Sequence, residues 1–487
     1  MQNSNSLTNL LSRLYSQSAA VRHLVAKRSV IAAGLIAAVL LAVAAQPAFA
    51  QQEEEDGVRY IVQAGDTLSS ISLRFDVSIQ DIISASKLTN PNALNVGDVL
   101  IIPGLDWIEG TLSFLDVPLG ENFVSLKRRY LLSSEGMARL NQLTSPDQMY
   151  YGFPAMLTTQ HGELTGRGRA LVAAGQSLWE LAAISGDNPW ALMGYNQLPG
   201  AWAVPGDVLF TPGVQAAGPG GLPNGVQGIE VQGQGFVQGR TLVLAATADP
   251  EVVLGGEFFG HALNFFAEGE TQQVALQGVP LEAESGTYDF VLSGTLADGS
   301  PFSFSQPVRV ASGGYASESL TVDLQFLDPE QNASELQWEQ ELTTPASGER
   351  RWAGYWGAPH PYINVINSDF GIHRTYNKGV YENYHRGTDF GGGVGIEIWA
   401  PAPGRVVYAG ETVIHGNFTV IDHGRGVYTT YSHQSQLLVA EGDEVQTGQV
   451  IGLVGATGRI TGAHLHWEVW VGGTAVEPMD WLNYIYP

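Results

Sequence analysis

Between Arg59 and Gly104 the apolar positions change period several times. Tyr60, Ile61 and Val62 form a short strand-like run. Behind Asp66 and Thr67, residues suited to cap a helix, Leu68, Ile71 and Phe75 recur at helical spacing. Ser78 opens a second short helix over SIQDIISAS, and NALNVGDVLIIP reads as a turn followed by a strand. The pattern predicts a βααβ unit over 58–104. The unit recurs at 168–213, where AGQSLWELA aligns with AGDTLSSIS and PGDVLFTPG with VGDVLIIPG. A weaker copy, without the GDTL and GD signatures, lies at 110–160. A period of about 50 residues indicates an array of small repeated units.

Further along, the pattern turns to β throughout. The Gly/Pro-rich stretch 214–228 reads as a linker. From 229 to 323, short β runs such as RTLVLAATA, GTYDFVLSGTL and SPFSFSQPVRV recur with turns between them, which predicts an immunoglobulin-like β-sandwich. It carries no catalytic cluster, and a spacer is its simplest role. Residues 324–350 form a second linker with a short acidic helix in DPEQNASELQWEQEL. From 351 to 487 glycines, aromatics and alternating segments predict an antiparallel β-sheet domain. The fold class expected is therefore multidomain and mainly β, and 487 residues exceed what one core organises.

Composition narrows the function classes. The chain has 23 basic and 48 acidic residues, a net charge of −25, which opposes non-specific nucleic-acid binding. It has no cysteine, which excludes disulfides and thiolate metal ligands. Residues 1–50 contain no Asp or Glu. Arg22, Lys27 and Arg28 precede an apolar run from Val30 to Ala45, followed by PAFA with Ala48 and Ala50 as a small-x-small cleavage site. That order is a secretory signal peptide, which predicts export to the cell wall or periplasm and membrane attachment only where the signal stays uncleaved.

Candidate chemistry concentrates near the C-terminus. Eight of the 11 histidines lie between His360 and His466. HLHWEVWV alternates, so on a strand His464, His466 and Glu468 share one face and Leu465, Trp467 and Val469 the other. HRGTD places His385 and Asp389 four apart, and Gly387 with the following FGGGVG argues for a strand or loop over a helix. A catalytic zinc takes three N or O ligands and keeps a position open. His385, Asp389 and one histidine of HLH supply three, which leaves His433 and the other for proton transfer. His373 and His423 are candidates to line the cleft; Tyr428, Tyr431 and Asn417 are candidates to contact substrate.

Two resemblances rest on these residues. The repeats resemble LysM domains, which implies binding to N-acetylglucosamine-containing glycans such as peptidoglycan. Residues 362–480 resemble the lysostaphin-type zinc metalloendopeptidases: HxxxD matches His385 to Asp389, HxH matches His464 to His466, and the isolated catalytic histidine matches His433 in TTYSHQ. The resemblance implies Zn²⁺ bound by His385, Asp389 and His466, with His433 and His464 as catalytic residues acting on peptide bonds of peptidoglycan. The alternative is a non-catalytic wall-binding activator of other hydrolases. The segment RTYNKGVYENY, longer than in compact members, is expected as a loop bordering the cleft.

Overall fold

The structure, a computed structural model, describes residues 57–159, 168–211 and 218–487. The expected signal segment lies outside them. Among the described residues no helix is long and apolar enough to cross a membrane. Val62–Asp106 form one compact unit; Arg59–Ile61 and Trp107–Pro487 form the other.

The three repeats follow the expected element order. The first has β1 (Val58–Ile61), α1 (Leu68–Phe75), α2 (Ile79–Ala85) and β2 (Val99–Ile102). Thr67 and Ser78 cap the two helices by accepting the backbone N–H groups of Ser70 and Asp81. Asp66 instead closes the preceding turn, accepting from the Gln63 N–H at 2.8 Å. The second repeat has β3 (Thr111–Asp116), α3 (Phe123–Arg129), α4 (Ser134–Leu140) and β4 (Pro154–Thr158), and the third β5 (Gly168–Leu171), α5 (Leu178–Ser185), α6 (Pro189–Tyr195) and β6 (Val208–Thr211). One device is common to all three. The residue after the second helix bonds both backbone groups of a residue in the last strand: Ser86 with Ile101, Asn141 with Met156, and Asn196 with Phe210. The middle copy keeps this clamp although it lacks the turn signatures.

The following strands are β7 (Val226–Gln232), β8 (Thr241–Ala248), β9 (Val253–Phe258), β10 (His261–Ala267), β11 (Gln272–Gly278), β12 (Gly286–Thr295) and β13 (Pro301–Val310). All their pairings are antiparallel, in the order β13-β12-β9-β10-β11-β8-β7. The first half of β10 pairs with β9 and its second half with β11, so the path divides into β7-β8-β11-β10 and β9-β12-β13. In chain letters that is ABED against CFG, the immunoglobulin arrangement. Two expectations change here. Residues 218–225 are packed, not a free tether: Leu222 is fully buried in the sandwich core and Arg169 donates to the Val226 carbonyl. Nor does the sandwich act as a separate spacer. Val243, Val274 and Leu276 share one core with the C-terminal domain, and Arg240 pairs with Asp480 at 2.8 Å.

The C-terminal part begins with β14 (Ser317–Leu320) and α7 (Pro329–Thr343). Then come β15 (Ile366–Ser368), β16 (His373–Tyr376), β17 (Tyr381–Tyr384), β18 (Thr388–Gly391), β19 (Glu397–Trp399), β20 (Gly404–Thr412), β21 (Gly416–Gly424), β22 (Val427–Leu437), β23 (Glu444–Val445), β24 (Val450–Val454), β25 (His464–Val471), β26 (Thr474–Val476) and α8 (Pro478–Asn483). The main sheet runs β15-β18-β25-β22-β21-β20-β23. As alternation demands, Leu465, Trp467, Val469 and Val471 point into its core. Trp481 closes that core, stacked on Tyr486 with ring centres 4.2 Å apart and donating to Thr241 Oγ1 of the sandwich. RTYNKGVYENY is not a loop but the β16–β17 hairpin, because Asn377 and Lys378 adopt the left-handed backbone that a tight turn needs; β14 adds to it in parallel.

His423 belongs to this core and not to the cleft. It is fully buried, packs on Trp356, donates through Nδ1 to the Pro403 carbonyl and faces Thr429 Oγ1 through Nε2. Tyr428 and Tyr431 are likewise core residues, 3% and 0% exposed, and do not reach a substrate. Burial pulls the His423 imidazole down to about 4. A histidine that titrates lower when folded binds its proton first in the unfolded chain, so its stabilising effect is complete above about pH 6.5 and is lost as pH falls toward 4. The expected outcome is a loss of roughly 3 kcal/mol at most across that window from this group. Thermal midpoints of the parent and His423→Gln between pH 7 and 4.5 check it: the variant should have the shallower acid slope, and equal slopes would contradict the assignment.

Candidate metal centre and cleft

The centre is set by strand register. In the antiparallel β18–β25 pair, Asp389 lies opposite His466 and Gly391 opposite His464. His385 sits in the short turn between β17 and β18, so its ring returns to the carboxylate four residues on. The result brings His385 Nε2 to 3.0 Å from Asp389 Oδ1 and 3.0 Å from His466 Nδ1, with His466 Nδ1 2.7 Å from Asp389 Oδ1. All three residues are buried.

The outer hydrogen bonds fix which nitrogen faces inward. His385 Nδ1 lies 2.6 Å from the Asp369 carbonyl, which can only accept, so Nδ1 carries the proton and Nε2 the lone pair. His466 Nε2 lies 2.7 Å from Glu468 Oε1, which leaves Nδ1 facing inward. Arg374 donates to Asp389 Oδ2 at 3.0 Å and leaves Oδ1 to the centre. Once His466 gives up its Nδ1 proton, two imidazole lone pairs and a carboxylate oxygen converge. Such a set fits a divalent cation with N and O ligands, zinc in particular.

The electrostatics agree. Burial pushes the Asp389 carboxyl up, but His385, with the hydrogen bonds from His464 and His466, outweighs burial and holds it well below the usual carboxylate range. Burial draws His385 down. His466 is pulled down by burial yet raised to about 9 by Asp389 and Glu468, so a proton must leave Nδ1 when a cation binds there.

His464 and His433 stand beside this set. His464 donates through Nδ1 to the Gly462 carbonyl, and its Nε2 is 3.3 Å from Asp389 Oδ1. His433 occurs at a break in the β21–β22 register, with a left-handed backbone (φ 62°) that is costly for a β-carbon-bearing residue. Its N–H bonds the His415 carbonyl and its Nδ1 the Thr457 carbonyl, which leaves Nε2 as an acceptor. The His433 and His464 rings are 5.0 Å apart. Burial, then the neighbouring His464 and His466, hold His433 well below the ordinary imidazole range, so it is neutral. All five residues picked from the sequence line one cleft of ≈ 320 Å³.

Other sequence candidates fall outside it. His360, which belongs to no motif, stacks on Phe390 in the core. His373 packs against Tyr384, and Asn417 bonds the Gln434 carbonyl; neither lines the cleft. Conversely, β14 and α7 supply one wall through Glu318, Asn332, Glu335 and Glu339, and the hairpin supplies Arg374 and Tyr384. The hairpin was expected to border the cleft, as it does; the wall residues of β14 and α7 were not singled out. One signal was there to find: Asn332, Glu335, Glu339 and Thr343 form a polar stripe at the spacing where a helix normally carries its apolar face, and all four are buried.

Comparison with known proteins agrees with this geometry. The profile of Peptidase family M23 matches residues 383–478, and that of the LysM domain matches 60–103. A segment of 114 residues is 40% identical to the peptidoglycan DD-endopeptidase ShyA of Vibrio cholerae, covering 23% of this chain and 26% of that protein. A segment of 107 residues is 38% identical to the murein hydrolase activator NlpD of Salmonella typhimurium, covering 22% and 28%. The chain thus spans about a quarter of the length of these curated relatives. A putative M23 peptidase structure from Pseudomonas aeruginosa aligns with 52% of this chain and 97% of its own at 23% identity and a TM-score of 0.37. The chain accordingly carries a LysM domain followed, far along the sequence, by a peptidase domain of the M23, lysostaphin-type family.

Proposed function

We propose that this protein is an exported zinc endopeptidase that binds peptidoglycan glycan through its LysM repeats and hydrolyses peptide bonds of the stems or cross-links. The observation that carries the reading is the convergence of His385 Nε2, Asp389 Oδ1 and His466 Nδ1, each aimed inward by an outer hydrogen bond, with two more histidines beside them. The likeness to a DD-endopeptidase supports the same substrate class. An activator, as the name of the Salmonella relative suggests, would have no need of the complete set. Export rests on the N-terminal pattern of basic, apolar and small residues.

When bound, zinc would lower the pKa of a water toward about 7 and polarise the scissile carbonyl. His385, Asp389 and His466 would hold it. His433, neutral and fixed by Thr457, presents Nε2 to take a proton from the attacking water and later return it to the leaving amine. His464, held through Nδ1 by the Gly462 carbonyl, would stabilise the developing oxyanion in its imidazolium form, with Nε2 donating. The walls from α7 and the β16–β17 hairpin confine the peptide and limit access of bulk water.

The test is release of new amino groups from purified peptidoglycan by the full chain. The isolated C-terminal domain is a poor reagent because its core extends into the sandwich. Release should stop with a zinc chelator and return with added zinc. His385→Ala and Asp389→Ala should lose the ion of this centre and activity together. His433→Ala should keep that ion while its rate falls by about 10²–10⁴-fold; a fully active His433→Ala would overturn the role given to it. Deleting residues 58–104 should weaken co-sedimentation with insoluble peptidoglycan and leave cleavage of soluble fragments in place. Unchanged sedimentation would remove the LysM domain from the account.

A further inference from the structure

Beside the cleft, α7 buries two carboxylates one turn apart, and they meet the peptidase sheet differently. Glu335 accepts the backbone N–H groups of Val413, Ile414 and His415 at 3.0–3.2 Å and faces His415 Nδ1 at 2.7 Å. Burial raises its carboxyl, but His415 and these donors outweigh that and bring it down to about 2. An ionised Glu335 requires the proton of His415 on Nδ1, so Nε2 is a lone pair. That lone pair points at Glu339 Oε2, 3.7 Å away.

Glu339 is 1% exposed, and its Oε1 has no hydrogen-bond partner. The third member is Glu468 on β25. Its Oε1 accepts from His466, and its Oε2 accepts from Trp470 Nε1 at 2.7 Å and Thr430 Oγ1 at 3.1 Å, so it is ionised. One donor atom from each of Glu339, His415 and Glu468 lies within 4.8 Å of the others. A proton on Glu339 would relieve its repulsion with Glu468, yet would serve only one of these contacts. A cation between the three would satisfy the orphaned Glu339 oxygen, the His415 lone pair and the charge of Glu468 together.

We propose that Glu339, His415 and Glu468 form a second divalent-cation site, separate from the His385–Asp389–His466 centre. One imidazole and two carboxylates suit zinc, since calcium and magnesium favour all-oxygen shells. His415 lies in the turn between β20 and β21, so the ion ties the upstream helix to two parts of the sheet. Glu335 plays the outer part for His415 that Glu468 plays for His466. The ion is a clasp that fixes the α7 wall of the cleft.

The test counts ions, independently of cleavage, so its failure leaves the peptidase reading standing. The full chain, loaded with zinc and desalted, is measured by inductively coupled plasma mass spectrometry. The expected counts are two zinc ions per chain for the parent, one for His385→Ala, and one each for His415→Ala and Glu339→Gln. A His385→Ala variant that binds none overturns the site even if the His415 and Glu339 variants fail to fold. Folded His415→Ala and Glu339→Gln variants that still bind two ions overturn it as well.

Discussion

The structure depends on the pairing of β18 with β25. Strand side chains alternate, so a slip of one residue would turn Asp389 away from His466 and dissolve the centre. The other face of β25 guards against that slip. Leu465, Trp467, Val469 and Val471 are all fully buried, and a one-residue shift would bring these apolar side chains into the cleft and the histidines into the core. Hydrophobic burial thus sets the register, and the register sets the metal geometry.

The same core explains why the middle of the chain is not a spacer. Val243, Val274 and Leu276 of the sandwich complete the apolar cluster around Trp481, and Arg240 with Gln234 secures Asp480 at its rim. The strand β14 and helix α7 then leave the sandwich and form one wall of the cleft. Segments upstream of the peptidase domain therefore line its cleft. Glu318, Asn332 and the Tyr376–Tyr384 hairpin line the cleft together with the histidines and Asp389.

The parts legible in sequence were those governed by local periodicity and local chemistry. Alternation in HLHWEVWV placed His464 and His466 on one face; capping residues such as Thr67 and Ser78 marked the helices of the repeats. What was not legible depended on distant partners. Tyr428 and Tyr431 looked available for substrate, but their strand is buried on both faces. His423 shares a sequence neighbourhood with His433 and lies in the core instead. The helix α7 was expected on the surface or packed against the last domain, but the partners of its carboxylates, His415 and Glu468, lie 80 and more residues away and had no local signal. The left-handed backbone of His433, which frees its ring from the strand alternation, has no sequence signature at a non-glycine residue.

The central claim is that hydrogen bonds to Asp369, Arg374 and Glu468 aim His385 Nε2, Asp389 Oδ1 and His466 Nδ1 at a single point. Anomalous diffraction at the zinc absorption edge from crystals of the zinc-loaded chain tests it most directly. The account predicts an anomalous peak bonded to those three atoms at about 2.0–2.2 Å, with one position open to water. A well-ordered crystal with no peak there, or a peak ligated through His385 Nδ1 or His466 Nε2, would contradict it.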